Sequence, residues 1–170
     1  MLIELPTWGL VAGNIGGWLV LQFGLAWMIL RLPARWFDRR PGKLSARRET
    51  RFYEQFLRVK TWKHRLPDAA PWFRGGFAKR ELKAADDDYV RRFILETRRA
   101  ELCHWLALGG VFLFLIWNPW YAWLGNVVYA VLGNLPCIVA QRYNRSRLGR
   151  LATRLVQPAA ARDTRRARRN

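Results

Sequence analysis

Positive charge is confined to two blocks of this chain, and that segregation constrains its fold more than any other feature. All 30 Lys and Arg fall within Arg31–Arg99 and Arg142–Arg169, while residues 1–30 and 100–141 contain none. A water-soluble globule intersperses its charges along every element. A membrane protein excludes them from segments that cross hydrocarbon and gathers Lys and Arg on the cytoplasmic side. The pattern reconciles a net charge of +18 with a hydrophobic fraction of 51% and 10 Trp. Nucleic-acid binding is another interpretation of such a charge. Topology already accounts for both basic blocks, so no nucleic-acid partner is expected.

Trp8–Leu30 is apolar apart from Asn14 and Gln22. It is long enough for a bilayer core of about 30 Å at about 1.5 Å per residue. The residues before it carry Glu4 and no Lys or Arg, and the run exceeds the apolar region of a typical signal peptide, so a retained span is expected. Arg31, Arg35, Arg39 and Arg40 follow at once, which places the N-terminus outside. The second apolar region, Leu102–Ala140, is too long for one span and is broken at Asn118-Pro119. Trp117, Trp120, Tyr121 and Trp123 flank the break, where aromatic rings favour the headgroup layer. A helical hairpin with an outer tip is predicted, its feet at Glu96–His104 and Gln141–Arg147.

The predicted fold class is therefore all-α: an integral membrane protein with about three transmembrane helices. Its regions are an N-terminal span (1–30), a cytoplasmic basic interfacial segment (31–99), a transmembrane hairpin (100–141) and a basic cytoplasmic tail (142–170). It is placed in the cell (inner) membrane as a multi-pass protein with a cytoplasmic C-terminus. Basic and aromatic residues alternate from Arg31 to Arg40, which suits an interfacial element. Pro67, Pro71, Gly75 and Gly76 predict a loop anchored by Trp72, Phe73 and Phe77. Asp86-Asp87-Asp88 reads as a helix start, and the helix runs through Arg91, Arg92, Glu96 and His104 into the second span. The arginine-rich stretch Arg162–Asn170 is expected to be disordered. Cys103 and Cys137 read as reduced packing residues. Cys103 adjoins His104 in sequence, but neighbours on a helix point about 100° apart, so no nucleophile pair is expected.

Three polar groups are candidate sites. On a helix, Glu101 and His104 share a face with Arg98 one turn back. A carboxylate beside an imidazole sets its tautomer and raises its basicity, as a general base for an alcohol requires. The competing interpretation is a snorkelling cluster in which Glu101 offsets arginines and His104 packs. Trp62-Lys63-His64 with Asp68 holds the other histidine. Its His-x-x-x-Asp order is one residue shorter than the glycerolipid acyltransferase signature and does not match it, and a basic interfacial loop is the alternative. Asn134-Leu-Pro136 precedes Gln141-Arg142-Tyr-Asn144-Arg145-Ser-Arg147. A carboxamide inside a span usually finds a partner, and Arg142, Arg145 and Arg147 suit a phosphate or carboxylate. The alternative there is a kinked helix followed by ordinary positive-inside arginines.

Trp62-Lys-His64, Glu96-Thr-x-Arg-Ala-Glu-Leu-x-His-Trp105, and Asn134-x-Pro136 with Gln141-Arg-Tyr-Asn-Arg-x-Arg-Leu148 together resemble the glycosyl-4,4'-diaponeurosporenoate acyltransferase family. The resemblance runs from about Leu57 to Leu148, extends to a counterpart of the first span, and stops before the tail beyond Val156. It implies transfer of a fatty acyl group onto a sugar hydroxyl of a glycosylated carotenoid acid, or a related glycolipid, at the cytoplasmic membrane face. The resemblance assigns no catalytic residue. The residues themselves suggest His104 as base, oriented by Glu101, with His64 in reserve. Asn134, Gln141 or Lys63 would donate to the oxyanion. Arg98, Arg99, Arg142 and Arg145 would hold the phosphates of the acyl donor, with Trp62, Glu96 and Asn144 completing the binding set. The expected partners are an acyl donor (acyl-CoA or acyl-carrier protein), a glycosylated lipid or carotenoid acceptor, and membrane lipids. No cofactor or metal is expected, since two distant histidines make no ligand set. A non-enzymatic scaffold or anionic-lipid-binding accessory protein is the competing class.

Overall fold

The computed structural model describes the backbone of residues 3–38, 43–66 and 87–167. Every regular element there is helical: α1 (Thr7–Arg31), a 3-10 turn (Ala34–Trp36), α2 (Lys43–Gln55), α3 (Val59–Trp62), a 3-10 turn (Lys63–Arg65), α4 (Asp87–Gly110) continued as a 3-10 turn (Val111–Ile116), and α5 (Trp120–Ala167). Three stretches are long and apolar enough to cross a membrane: Thr7–Arg31, Asp88–Ile116 and Trp120–Leu151. The chain sorts into two compact units. One comprises Met1–Leu32 and Arg99–Ile138, the other Pro33–Arg98 and Val139–Asn170, so α4 and α5 each contribute to both.

In the first unit, α1 ends where Leu32 turns extended ahead of Pro33. Only Trp18 and Ile29 of α1 are buried, while Trp8, Val11, Ile15, Leu19, Val20 and Phe23 lie exposed. That is the surface a helix presents to lipid. Trp18 packs with Val111, Phe114 and Ala130, and Leu21, Leu108, Trp117, Trp123 and Val127 close around them. Two glycines allow the approach. A Cβ on Gly17 would meet Phe114 and Trp117 at 3.1 Å, and one on Gly110 would meet Leu21 at 2.7 Å.

Polar groups in this unit pair with one another. Asn14 Nδ2 donates to Asn118 Oδ1 at 3.0 Å, and Asn118 Nδ2 and Trp117 Nε1 donate to Asn14 Oδ1 at 2.7 and 3.0 Å. Trp18 Nε1 donates to Asn126 Oδ1 at 2.8 Å, and Trp123 Nε1 to the Val111 carbonyl at 2.9 Å. The aromatic cluster at the hairpin tip thus divides by role. Trp120 and Tyr121 are exposed, whereas Trp117 and Trp123 turn inward because their indole N–H groups find acceptors there. The break itself is where the sequence puts it, with the Asn118 amide N–H closing on the Phe114 carbonyl at 3.0 Å before Pro119.

In the second unit, Val90, Phe93 and Ile94 of α4 pack on Leu148 of α5. α2 meets α5 through a hydroxyl chain: Thr50 Oγ1 donates to Ser146 Oγ (3.1 Å), which donates to the Tyr143 carbonyl (3.1 Å). Arg58 adopts a left-handed conformation (φ 48°), uncommon for a side-chain-bearing residue, and turns the chain from α2 into α3. Thr61 Oγ1 and Trp62 Nε1 then bond the Arg58 and Leu57 carbonyls at 2.8 and 2.9 Å, which holds that turn.

The predicted continuation of the helix from Asp88 through His104 into the second span is present in α4. One sequence expectation changes. The stretch from Arg162 to Ala167 is not irregular, because α5 continues as helix to Ala167, in keeping with its run of Ala and Arg, both good helix formers. Pro136 lies inside α5 without ending it. The predicted loop bearing Trp72, Phe73 and Phe77, and the Asp68 partner of His64, lie outside the described residues. Replacing Asn14 by Leu removes three hydrogen bonds. At roughly 0.6 kcal/mol each, the expected destabilisation is about 2 kcal/mol in unfolding titrations followed by Trp fluorescence. Val20→Leu, on a residue 76% exposed, leaves stability unchanged.

Candidate functional site

His104 on α4 and Asn134 on α5 meet in the first unit, with His104 Nδ1 and Asn134 Oδ1 2.9 Å apart. Asn134 is 2% exposed and its Nδ2 donates to the Ala130 carbonyl at 2.9 Å. That second bond fixes the amide, because a flip would set oxygen against oxygen. Oδ1 therefore faces the imidazole, Nδ1 must carry the proton, and Nε2 is the basic nitrogen. This is the tautomer that a general base for a hydroxyl needs.

Around His104, Glu101 Oε1 accepts from Trp105 Nε1 one turn along α4 at 3.4 Å, and Asn134 Oδ1 lies against the imidazole Nδ1. One of the two amide N–H groups of Asn134 is bonded to the Ala130 carbonyl, which leaves the second as a further donor. Arg99 Nη2 donates to the Leu32 carbonyl at 2.6 Å, just past the end of α1, where helix carbonyls lack partners.

The other predicted residues belong to the second unit. Arg98 Nη1 donates to the Phe37 carbonyl at 3.0 Å, and Arg91 pairs with Asp38 nearby. Glu96 is 5% exposed, buried on α4 beside Thr97, whose hydroxyl bonds the Ile94 carbonyl at 2.6 Å. Lys63 Nζ donates to Asn144 Oδ1 at 3.0 Å and lies 5.1 Å from the Tyr143 ring centroid. Burial pushes the Lys63 ammonium below the usual lysine range, and the cations Arg147 and Lys60 push it the same way. His64, on the following turn, is exposed. Trp62 is anchored by its indole bond to Leu57. Gln141 buries Oε1 with no hydrogen-bond partner among the described residues. Arg142 is exposed beside Tyr53, whose hydroxyl burial pushes up while that guanidinium pulls it down; Arg145 is half-buried.

Sequence reasoning passed over Tyr143 and Glu54. Tyr143 is fully buried and its hydroxyl donates to Glu54 Oε1 at 3.1 Å, on the same oxygen that Lys60 Nζ reaches at 3.0 Å. The signal was present, since Tyr143 sits inside the Gln141–Arg147 run, but its partner lies 89 residues away on α2. The Lys60 hydrogen bond is the largest cause holding the Glu54 carboxyl below its ordinary value, with burial opposing and Tyr143 assisting. A depressed carboxyl contributes stability above its unfolded pKa and loses it as pH falls through the folded value. The stability difference between wild type and Glu54→Gln should therefore be full at neutral pH and shrink as pH drops below about 4.5, read from paired unfolding titrations.

Comparison with known proteins follows the same stretch of chain. The family profile described as glycosyl-4,4'-diaponeurosporenoate acyltransferase matches residues 33–154, which ends short of the arginine-rich C-terminal stretch. Proteins of that name from Staphylococcus aureus strains bovine RF122 / ET3-1, MRSA252 and Newman are each 31% identical over 137 residues, covering 79% of this chain and 82% of theirs. No solved structure matches the chain. With its three membrane-length helices and a match across 33–154, the chain belongs to the glycosyl-4,4'-diaponeurosporenoate acyltransferase family and is an acyltransferase.

Proposed function

We propose that this acyltransferase esterifies a sugar hydroxyl of a glycosylated carotenoid acid, or a related glycolipid, with a fatty acyl group at the cytoplasmic face of the cell membrane. The observation that carries the reading is the His104–Asn134 pair, which leaves the imidazole with a basic Nε2 within a membrane-length helix. The relatives' name supports the acceptor class. The positive-inside pattern supports the orientation, with the N-terminus outside and both basic blocks in the cytoplasm.

The chemistry follows from one base. Nε2 of His104 takes the hydroxyl proton as the sugar oxygen bonds to the acyl carbonyl carbon. With a thioester donor, acyl-CoA or an acyl-carrier protein, the tetrahedral intermediate expels the thiolate by breaking the C–S bond, and the imidazolium returns the proton to that sulfur. Asn134 holds the ring through this cycle and touches no substrate. Membership of an acyltransferase family argues against the scaffold interpretation of the basic tail.

Mass spectrometry of lipid and pigment extracts from cells with and without the protein tests the reaction. An acylated glycolipid should disappear and a species lighter by one acyl group should accumulate; an unchanged profile with the protein present in membranes rejects the assignment. In matched membranes, His104→Ala should lower turnover by about 10²–10⁴-fold. Asn134→Ala should lower kcat and leave the KM for acceptor in place, because it acts through the ring. Should His104→Ala work normally while His64→Ala fails, the base is His64.

A further inference from the structure

Among the described residues, the second unit gathers positive charge around Lys63 with one acid, Glu54, bonded at its edge. Lys63 is only partly exposed, and Arg147 and Lys60 are close enough to oppose its protonation. The acid beside them, Glu54, already serves Lys60 Nζ and the Tyr143 hydroxyl. Crowding a half-buried ammonium against two cations is unfavourable unless an anion offsets it. Neutral groups build the remainder. Lys63 Nζ has donors only, so the oxygen of Asn144 must face it. The amide N–H₂ of Asn144 then projects from the same carbon as a further donor, and the Tyr143 ring face lies under the ammonium. Arg147 follows Asn144 by three positions and Tyr143 by four, which sets all three on one side of α5.

We infer that Lys63, Arg147 and the Asn144 amide form a binding site for a phosphate ester. The site fits phosphate by charge and by donor set: an ammonium, a guanidinium suited to two phosphate oxygens, and a neutral N–H donor. The inference rests on the acyl-transfer reading for its physiological source, since a phosphorylated acyl carrier brings such a group and so does an anionic lipid headgroup. It assigns Lys63 to holding a substrate's charged handle, in place of the oxyanion role suggested by sequence, and it pairs Lys63 with Arg147 of the arginine run already suited to phosphate.

Asn144→Asp makes the discriminating variant. The carboxylate keeps the bond from Lys63 Nζ and strengthens it, yet it replaces the N–H donor with a negative charge. A purely structural Lys63–Asn144 contact survives this change, and a phosphate site does not. The full chain is placed in nanodiscs of phosphatidylcholine alone, or of phosphatidylcholine with one quarter phosphatidylglycerol. Binding of free coenzyme A and of inorganic pyrophosphate is measured by titration calorimetry, with the unfolding temperature recorded alongside. Asn144→Asp and Arg147→Gln should each weaken binding on the order of ten- to a hundredfold, while Lys63→Arg retains it. The unliganded unfolding temperature of Asn144→Asp should not fall. Binding of coenzyme A in pure phosphatidylcholine assigns the site to the donor. Stabilisation by phosphatidylglycerol alone, lost in Asn144→Asp, assigns it to a lipid headgroup. Equal binding by wild type and Asn144→Asp, or no response to any of the three anions, overturns the inference. His104→Ala separates the two claims: it should bind coenzyme A as wild type does while losing turnover. If it keeps turnover, the base assignment fails and the phosphate site stands.

Discussion

Hydrocarbon offers no hydrogen bonds, and the arrangement of the first unit follows from that. An amide or indole N–H stranded there costs several kcal/mol. The spans and the hairpin turn nevertheless carry Asn14, Asn118, Asn126 and Asn134, and each is matched to a group on another segment or to a carbonyl of its own helix. Apolar contact between helices cannot select one rotation over another in lipid, since lipid tails are as apolar as leucine. Carboxamide pairs can. Asn14 with Asn118 and Trp18 with Asn126 set the register of α1 against the hairpin, and Asn134 with His104 ties the two legs of the hairpin to each other.

The same layer favours an asparagine as the partner of the proposed base, His104. A carboxylate at Asn134 would have to be desolvated in the same low-dielectric layer, at far greater cost than a neutral amide. The amide accomplishes the orientation with no net charge, and its other half is taken by Ala130 in its own helix. Rigidity therefore comes from within α5, independent of solvent.

The large outlines were readable from charge placement alone. Bare stretches became the apolar halves of α1, α4 and α5, and the Asn118-Pro119 break became the hairpin turn. Periodicity along a single helix also gave the continuity of α4 from the interface to His104. It could not reach contacts between two helices. Spacing on α4 brings out neighbours on one face of that helix, such as Glu101, whereas Asn134 lies 30 residues on and meets His104 only after the hairpin closes. The same limit hid the bonds of α2 to α5, Thr50 to Ser146 and Glu54 to Tyr143, separated by 96 and 89 residues. Aromatic clustering marked the hairpin tip correctly as a region, yet only the folded acceptors decide which rings turn inward. Lys63 and Asn144 were each picked from their motifs. Their contact was not, because it depends on the left-handed turn at Arg58 that swings α3 away from α2.

The helix α1 leaves most of its large side chains exposed, with only Trp18 and Ile29 buried. Lipid is thus its solvent, and a lipid-borne acceptor is dissolved in that solvent too. For such a pair, encounter is a two-dimensional event governed by moles of acceptor per mole of lipid, and a volume concentration has no bearing on it. Adding inert lipid at constant acceptor would slow the enzyme as surely as removing acceptor, and the cell would tune its flux by the composition of the membrane itself.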